Sequence, residues 1–410
     1  MFDAGDTSFI IICTALVLLM TPGLALFYGG LGRRKNMVSN MMNSAFIMGM
    51  GIVLYMLVGY SLSFGDDILN FIGSLKNVGL MGITKDSLTK SIPTFAFIAF
   101  QMMFALITPA IITGSIAGRM RFKALFLFIA LWSIFVYYPL AHMVWGDGGL
   151  IGGVIGALDF AGGDVVHISS GTTGLILAIL IGRRVDYMQI SYRIHNVPFV
   201  FLGMGLLLFG WFGFNAGSAL AASGLAAHAF MTTAISAAAG MLMWIFIDVM
   251  KQGKATLIGA CTGVIAGLVG ITPAAGFVDM WAALIIGVTV SPVCYCGIAL
   301  IKRVFKIDDA LDAFGCHGIG GIWGGILTGV FVNPAINGGQ PGLIYGKVSQ
   351  FFAQIEGIFI TFVMVTVGTL LCAGIVSIFT PLRVDRKEEL VGLDISEHGE
   401  SAYPSFTGLD

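Results

Sequence analysis

Long apolar runs alternate with short polar connections along nearly the whole chain. Most runs reach the roughly 20 residues that a helix needs to cross a bilayer, and the charged residues concentrate in the connections. Eleven runs are predicted to be membrane-spanning helices: 8–31, 38–64, 93–118, 124–144, 164–182, 197–218, 225–250, 255–275, 281–301, 313–332 and 350–380. We therefore expect an all-α integral membrane protein, with a transmembrane domain over 1–380 and a cytoplasmic tail over 381–410.

The basic residues indicate the direction in which the helices cross. If alternate connections are assigned to one side, beginning after the first span, that side holds 17 of the 21 Lys and Arg residues. Because an excess of basic residues is typical of the cytoplasmic side, the sequence predicts an N-terminus outside, a C-terminus inside and an odd number of spans.

Two short motifs occur twice, and five predicted spans separate the copies. The copies are Ile107-Thr-Pro-Ala110 and Ile271-Thr-Pro-Ala274, and Ala157-Leu-Asp-Phe160 and Ala310-Leu-Asp-Ala313. Because five is odd, the second copy is inverted in the membrane, which predicts two inverted five-helix halves at about 8–182 and 197–332. The final helix, about 350–380, lies outside this repeat. Inverted repeats place a solute path near the midplane, where the two halves meet.

Composition narrows the class of protein further. Hydrophobic residues make up 57% of the chain and charged residues 10%, against about 25% charged residues in soluble domains. The net charge of −1 gives no argument for nucleic acid. The six cysteines lie in apolar runs without metal-ligand spacing, and no nucleophile–base set or nucleotide loop is evident. The sequence therefore favours a transporter or channel over an enzyme, and it indicates no cofactor.

Two histidines are the strongest candidates for a role in the membrane. His167 and His317 lie in apolar spans, at corresponding places in the two predicted halves. A polar side chain within a span is costly and usually faces the bundle interior or a pathway, although two unrelated histidines bonded to nearby backbone remain the alternative. A neutral imidazole both donates and accepts hydrogen bonds, so the pair is suited to line a pore.

Three aspartates lie near these histidines. Asp159 precedes the fifth span, where it either caps a helix or supplies negative charge to a cation site. Asp164 follows at the predicted start of that span and is expected to be its N-cap. Asp312 precedes the tenth span, where capping is again expected.

Aromatic residues with polar neighbours form a further group. Phe104 lies in the third span, Phe214 in the sixth with Ser218 one turn later, and Trp145 at the outer end of the fourth. Any one phenylalanine among 32 is most often core or lipid-facing, and a lone tryptophan is an interfacial anchor.

Several long motifs resemble the Amt branch of the Amt/Mep/Rh ammonium transporters, and the likeness runs through all eleven spans into the tail. The motifs are Thr21-Pro-Gly-Leu-Ala-Leu-Phe-Tyr-Gly-Gly30, Ala141-His-Met-Val-Trp-Gly146, Ala157-Leu-Asp-Phe-Ala-Gly-Gly163, Gly210-Trp-Phe-Gly-Phe-Asn-Ala-Gly-Ser218, Phe314-Gly-Cys-His-Gly318 and Glu389-Leu-Val-Gly-Leu-Asp-Ile-Ser-Glu-His-Gly-Glu400.

The resemblance implies roles on the outer side of the membrane. Trp145, Phe104 and Ser218 match an external ammonium-recruitment site, and Phe104 and Phe214 match a stacked gate beneath it. Asp159 matches a carboxylate near the recruitment site, needed for transport through structure, charge or both.

The resemblance also implies a pore and an assembly. His167 and His317 match twin histidines that line the pore, in a homotrimer of the plasma membrane with one pore per subunit. A cytoplasmic PII-type regulator of the GlnK kind is the implied partner. Asp164 stands where the family has a small or hydroxyl residue, and Cys316 stands beside the second histidine; both are mild departures.

The expected function is transport of ammonium/ammonia, with methylammonium as an analogue. Ammonium would lose its proton at the gate, and ammonia would pass the histidines; transport is electrogenic if the proton follows. A transporter of urea or water would not need an aromatic cation site. An ammonium sensor that signals through its tail and a partner is the alternative from another class.

Overall fold

The structure is a computed structural model that describes residues 2–189 and 192–403. The long helices are α1 Ala4–Leu31, α2 Arg34–Phe64, α3 Thr94–Ile116, α4 Phe122–Ile155 (interrupted at 146–149), α5 Gly163–Ile181, α6 Val197–Gly217, α7 Gly224–Gln252, α8 Leu257–Ile271, α9 Met280–Val304, α10 Phe314–Phe331 and α11 Ser349–Phe379. Two short helices follow in the tail, α12 Arg386–Val391 and α13 Leu393–His398. The prediction of a mostly helical, multi-span membrane protein is confirmed.

In the described part of the chain, ten of these helices are long and apolar enough to cross a membrane. The eighth, α8, has 15 residues and ends at Ile271, short of the predicted boundary at 275. Beyond Ile271 the chain continues as buried turns and not as a helix. Thr232 Oγ1 donates to the carbonyl oxygen of Ala275 at 2.8 Å and so satisfies one of the freed backbone groups.

Two small hairpins lie between α2 and α3. Strands β1 Asp67–Ile68 and β2 Ile72–Gly73 pair antiparallel, with Asp67 opposite Gly73. Strands β3 Leu88–Thr89 and β4 Ile92–Pro93 pair in the same way. These hairpins belong to the connection that carries Lys76, Lys85 and Lys90, which the sequence assigned to the outer side.

Polar residues begin several helices. The side chains of Asp3, Asn196, Ser223 and Thr256 each accept a hydrogen bond from a backbone N–H of the first turn, at the starts of α1, α6, α7 and α8. These bonds satisfy N–H groups that have no partner within the helix. In a bilayer this matters because lipid offers no replacement hydrogen bonds.

Glycines allow the central helices to pack closely. α1 packs along α6, and a Cβ at Gly203 would meet backbone atoms of Phe27. α7 packs against α8 in the same way, where a Cβ at Gly267 would meet the backbone of Ser236. Such contacts between small residues are a main source of helix association in membranes, and they account for much of the chain's high glycine content.

The described part of the tail lies against the bundle. Lys35 Nζ donates to the carbonyl oxygens of Glu389 and Leu390 at 2.7 and 2.6 Å. Ser39 N–H donates to Asp394 Oδ1 at 2.8 Å, and Arg121 pairs with Glu388 at 2.9 Å. The segment therefore orders against its own bundle rather than projecting away from it.

Candidate functional site

The two histidines meet inside the bundle. His167 is 1% exposed and His317 5% exposed, and their Nδ1 atoms are 3.2 Å apart. One ring must donate this hydrogen bond and the other accept it, so the two imidazoles hold complementary tautomers. His167 Nε2 has no partner among the described residues. The pair therefore presents an unused ring nitrogen in an otherwise apolar interior.

Each histidine belongs to a wide helical turn at the start of its span. His167 lies in the π-helical turn Gly163–Ile168, and His317 lies in Phe314–Gly318. Regular helices of 13 residues follow both turns. Such wide turns are rare in helices and often occur at functional sites. The two spans thus share one local architecture.

A buried aspartate eight residues before each histidine caps these turns. Asp159 accepts hydrogen bonds from the backbone N–H groups of Gly162, Gly163 and Asp164 at 2.7, 2.7 and 2.8 Å, and from Val165 at 3.4 Å. Of the two roles left open for this carboxylate, capping is the one that the geometry shows. It leaves both carboxylate oxygens engaged with the protein backbone.

In the second half, Asp309 takes the corresponding place. Its carboxylate accepts from the N–H groups of Ala313, Phe314 and Gly315 at 3.1, 2.9 and 3.2 Å, and from Ser115 Oγ at 2.7 Å. The repeated motif pairs Asp312 with Asp159. In the structure, Asp309, three residues earlier, holds the position equivalent to Asp159.

Both of the predicted aspartate caps are wrong. Asp164 is buried without a capping bond, and its side chain lies beside Thr361 and Gly357 of α11. Asp312 instead pairs with Lys302 at 2.6 Å. Asp309 already bonds the N–H groups that a cap at Asp312 would have needed. The N–H groups of Val166 and His167, which a cap at Asp164 would have needed, donate to the carbonyl oxygen of Gly162.

Aromatic rings form a column that leads to the histidines. Phe104 and Phe214 are stacked with centroids 4.2 Å apart and an interplanar angle of 30°, and Trp145 meets Phe104 edge-on at 5.9 Å. The ring of Phe214 lies 6.2 Å from that of His167. Four of the predicted residues, each from a different helix, therefore follow one another as neighbouring rings.

Sequence reasoning missed a member of this group. Trp211 is 1% exposed, lies 5.3 Å from the ring of His167 and stacks on it at 25°. Its Nε1–H donates to Thr272 Oγ1 at 2.9 Å, which fixes the plane of the indole. The signal available in the sequence was its place three residues before Phe214, nearly one helical turn away on the same face.

The column separates two cavities. An outer cavity of 540 Å³ is lined by Phe104, Trp145 and Ser218, together with Asp147 and Lys90. Trp145 Nε1–H donates to the carbonyl oxygen of Asp159 at 2.9 Å, and Ser218 Oγ donates to that of Phe214 at 2.9 Å. The indole is thus fixed at the cavity floor.

Beneath the stacked phenylalanines the passage is narrow and apolar. A space of 10 Å³ there is lined by both histidines, Trp211 and aliphatic side chains such as Ile107 and Ile265. This is about the volume that holds a single water. Among its described lining residues, only the histidines and the Trp211 indole bear polar side-chain atoms.

An inner cavity of 390 Å³ begins at His317 and Cys316 and opens among basic residues, including Arg184 and Lys302. Arg184 Nη2 pairs with Asp308 at 2.6 Å. Although burial raises the pKa of Asp308, the hydrogen bond and charge of Arg184 hold it below the ordinary value. Asp308 therefore remains a carboxylate that neutralises part of this basic mouth.

The fold and site define a multi-pass membrane protein with a narrow apolar passage between two polar mouths. Residues 8–403 match the model of the Ammonium Transporter Family. The chain belongs to this family, whose members transport ammonium across the plasma membrane.

Close relatives have the same length. An ammonium transporter of Bacillus subtilis is 50% identical over 404 residues, which are 97% of this chain and 98% of that protein. Ammonium transporter Amt1 of Archaeoglobus fulgidus is 44% identical over 97% of this chain and 99% of its own length.

Solved structures of Mep2 and Amt proteins share this fold. The crystal structure of Candida albicans Mep2 matches with a TM-score of 0.89 and 32% identity, covering 98% of this chain and 91% of that one. A sensor Amt protein also matches, with a TM-score of 0.89, 28% identity and coverage of 96% and 98%.

Proposed function

We propose that this chain moves ammonium across the membrane by binding the cation outside and conducting neutral ammonia inside. The observation that carries the proposal is the column of rings, which joins an outer cavity to a 10 Å³ apolar passage ending at two histidines. Trp145, Phe104 and Ser218 form the recruitment site. Their aromatic faces and hydroxyl suit a small cation with N–H donors.

Energetics favour deprotonation at the gate formed by Phe104 and Phe214. Removing the water of an ammonium-sized ion costs on the order of 20 kcal/mol in the Born limit, whereas a desolvated cation–π contact returns about 2 kcal/mol. Releasing its proton near neutral pH costs about 3 kcal/mol, roughly two pKa units at 1.36 kcal/mol each. Potassium has no proton to release, so the same gate excludes it.

The histidine pair then offers hydrogen bonds to the neutral ammonia. The Nδ1–Nδ1 hydrogen bond leaves His167 Nε2 free to exchange hydrogen bonds with ammonia. If the released proton follows along the histidines or a water chain, transport is electrogenic, and if it stays outside, the passage is a gas channel. The role of Asp159 in this scheme is structural, since both of its oxygens bond backbone N–H groups.

We also propose eleven crossings, with the N-terminus outside, the tail inside and two inverted halves. Hydrogen bonds between segments that the sequence assigns to the same side of the membrane support this topology. Asp3 N–H donates to the carbonyl oxygen of Ser91 on one face, whereas Arg121 N–H donates to that of Leu382 on the other. The matching wide turns and aspartate caps of α5 and α10 support the repeat.

Assembly and regulation are extensions of the family resemblance. We propose a homotrimer with one pore in each subunit, and a PII-type regulator of the GlnK kind at the inner face. The docked tail lies at this face beside α2 and α4, where such a partner would meet it.

The test uses purified protein in liposomes. An ammonium jump on a solid-supported membrane measures current, and uptake of labelled methylammonium measures flux. His167→Ala should abolish at least nine-tenths of the uptake, while His228→Ala, outside the column, should retain it. Full uptake by His167→Ala would refute the proposed pathway. Absence of uptake by the unaltered protein would instead favour the sensor alternative.

A further inference from the structure

A buried histidine outside the pore is the basis of this inference. His142 lies in α4, three residues before Trp145, and is 0% exposed. Its Nδ1 is 3.1 Å from the carbonyl oxygen of Ser63, and its Nε2 is 2.9 Å from Asp67 Oδ1. The transport scheme above does not use this residue.

Both partners of the ring are hydrogen-bond acceptors. The Ser63 carbonyl oxygen and an ionised Asp67 carboxylate can only accept hydrogen bonds, so the ring of His142 lies between two acceptors. Asp67 remains ionised because the hydrogen bond from His142 holds its pKa below the ordinary value. His142 is thus clamped between two acceptors, and a break in its pair with Asp67 would leave a buried ring nitrogen without its partner.

The clamp connects the outer hairpin to the turn after Trp145. Asp67 begins strand β1, and its Oδ2 accepts from Asn70 N–H at 3.1 Å. Asn70 Nδ2 donates to the carbonyl oxygen of Gly148 at 2.6 Å, and Leu150 N–H donates to that of Asn70 at 2.8 Å. The hairpin therefore holds α4 both before and after Trp145.

We propose that His142 and Asp67 are positioning residues that hold Trp145 over the outer cation site. The inference rests on the proposed role of Trp145 in binding ammonium. The indole itself is held by one hydrogen bond to the Asp159 carbonyl and by its edge-on contact with Phe104. Its backbone is held by the hairpin, so loosening the hairpin displaces the ring from the cation.

The neighbouring carboxylate offers a matched control. Asp66 pairs with Lys76 at 3.1 Å, and both side chains are about 70% exposed, at 72% and 68%. Replacing Asp66 removes the same charge from the same hairpin but leaves the clamp intact. A difference between the two positions therefore reports the clamp and not the charge of the hairpin.

The experiment measures KM and Vmax for methylammonium uptake into liposomes, with uptake normalised to reconstituted protein. Asp67→Ala should raise KM, by at most about thirtyfold, the ceiling set by a desolvated cation–π contact, while Vmax changes by less than about twofold. Asp66→Ala should leave both unchanged. Asp67→Asn should restore most of the lost affinity, because an asparagine side chain can both donate and accept and so can keep a hydrogen bond to His142.

A double variant tests whether the rise in KM depends on the Trp145 indole. In Trp145→Ala, adding Asp67→Ala should raise KM no further. Asn70→Ala, which breaks the bond to Gly148 but keeps the pair of His142 and Asp67, should raise KM by a smaller factor and covers the case in which Asp67→Ala does not fold. An unchanged KM in Asn70→Ala, or an equal rise in KM from Asp67→Ala with and without Trp145, would overturn the inference. Loss of uptake by the unaltered protein would count against the transport function instead.

Discussion

Replacing Asp159 with asparagine distinguishes two possible roles of this residue, capping the turn before His167 and supplying negative charge. The carboxylate accepts four backbone N–H bonds, two on each oxygen. An asparagine keeps one accepting oxygen, which can retain the two bonds from Gly162 and Gly163. Its NH2 group then faces the N–H groups of Asp164 and Val165, where a donor meets donors.

The magnitude follows from these distances. The bond from Asp164 N–H, at 2.8 Å, is a full charge-assisted bond, whereas that from Val165, at 3.4 Å, is weak. Losing the first and leaving a buried N–H unsatisfied costs about 2–4 kcal/mol. With about 2.1 cal/mol/K of unfolding entropy per residue, this lowers the Tm by roughly 2–5 °C.

The assay combines thermal unfolding in detergent with methylammonium uptake. Asp309→Asn is the matched control, because it weakens the equivalent cap on the other half. Both variants should lose similar stability, but only Asp159→Asn should raise KM at the outer site, because Asp159 also presents its carbonyl to Trp145. If Asp159→Asn kept its Tm within about 1 °C yet lost uptake, negative charge rather than capping would be the essential property.

Three further predictions follow from buried and gating groups. Asp164→Asn should retain uptake and its Tm, because one carboxylate oxygen has no partner in the described structure; a Tm lowered by several degrees contradicts this. Phe214→Ala should admit potassium, measured as a current in liposomes, and should cost about 3–5 kcal/mol. Phe209→Ala, 56% exposed on the same helix, should do neither. Because the hydrogen bond from His142 holds the pKa of Asp67 below its ordinary value, Asp67 stays ionised as the pH falls from 6 to 5, and the methylammonium KM should not rise over this range. A rise in KM within that range would count against the clamp.

The sequence determined the features that depend on local composition. Apolar runs of spanning length give the helices, since a bilayer accepts only segments that satisfy their own backbone. Histidines in two such runs mark the interior, because a polar side chain there is costly unless it serves a pathway. The motifs that carry the resemblance were likewise readable in the chain.

Which side chains meet depends on how the helices pack, and this could not be predicted from the chain alone. The cap on α10 is Asp309 rather than Asp312, because capping depends on the direction of N–H groups in a wide turn and not on motif spacing. Trp211 stacks on His167, and Asp67 reaches His142 from a hairpin 75 residues away, for the same reason. Hydrophobic patterning specifies where helices lie, but hydrogen bonds between distant segments form only once the helices have packed.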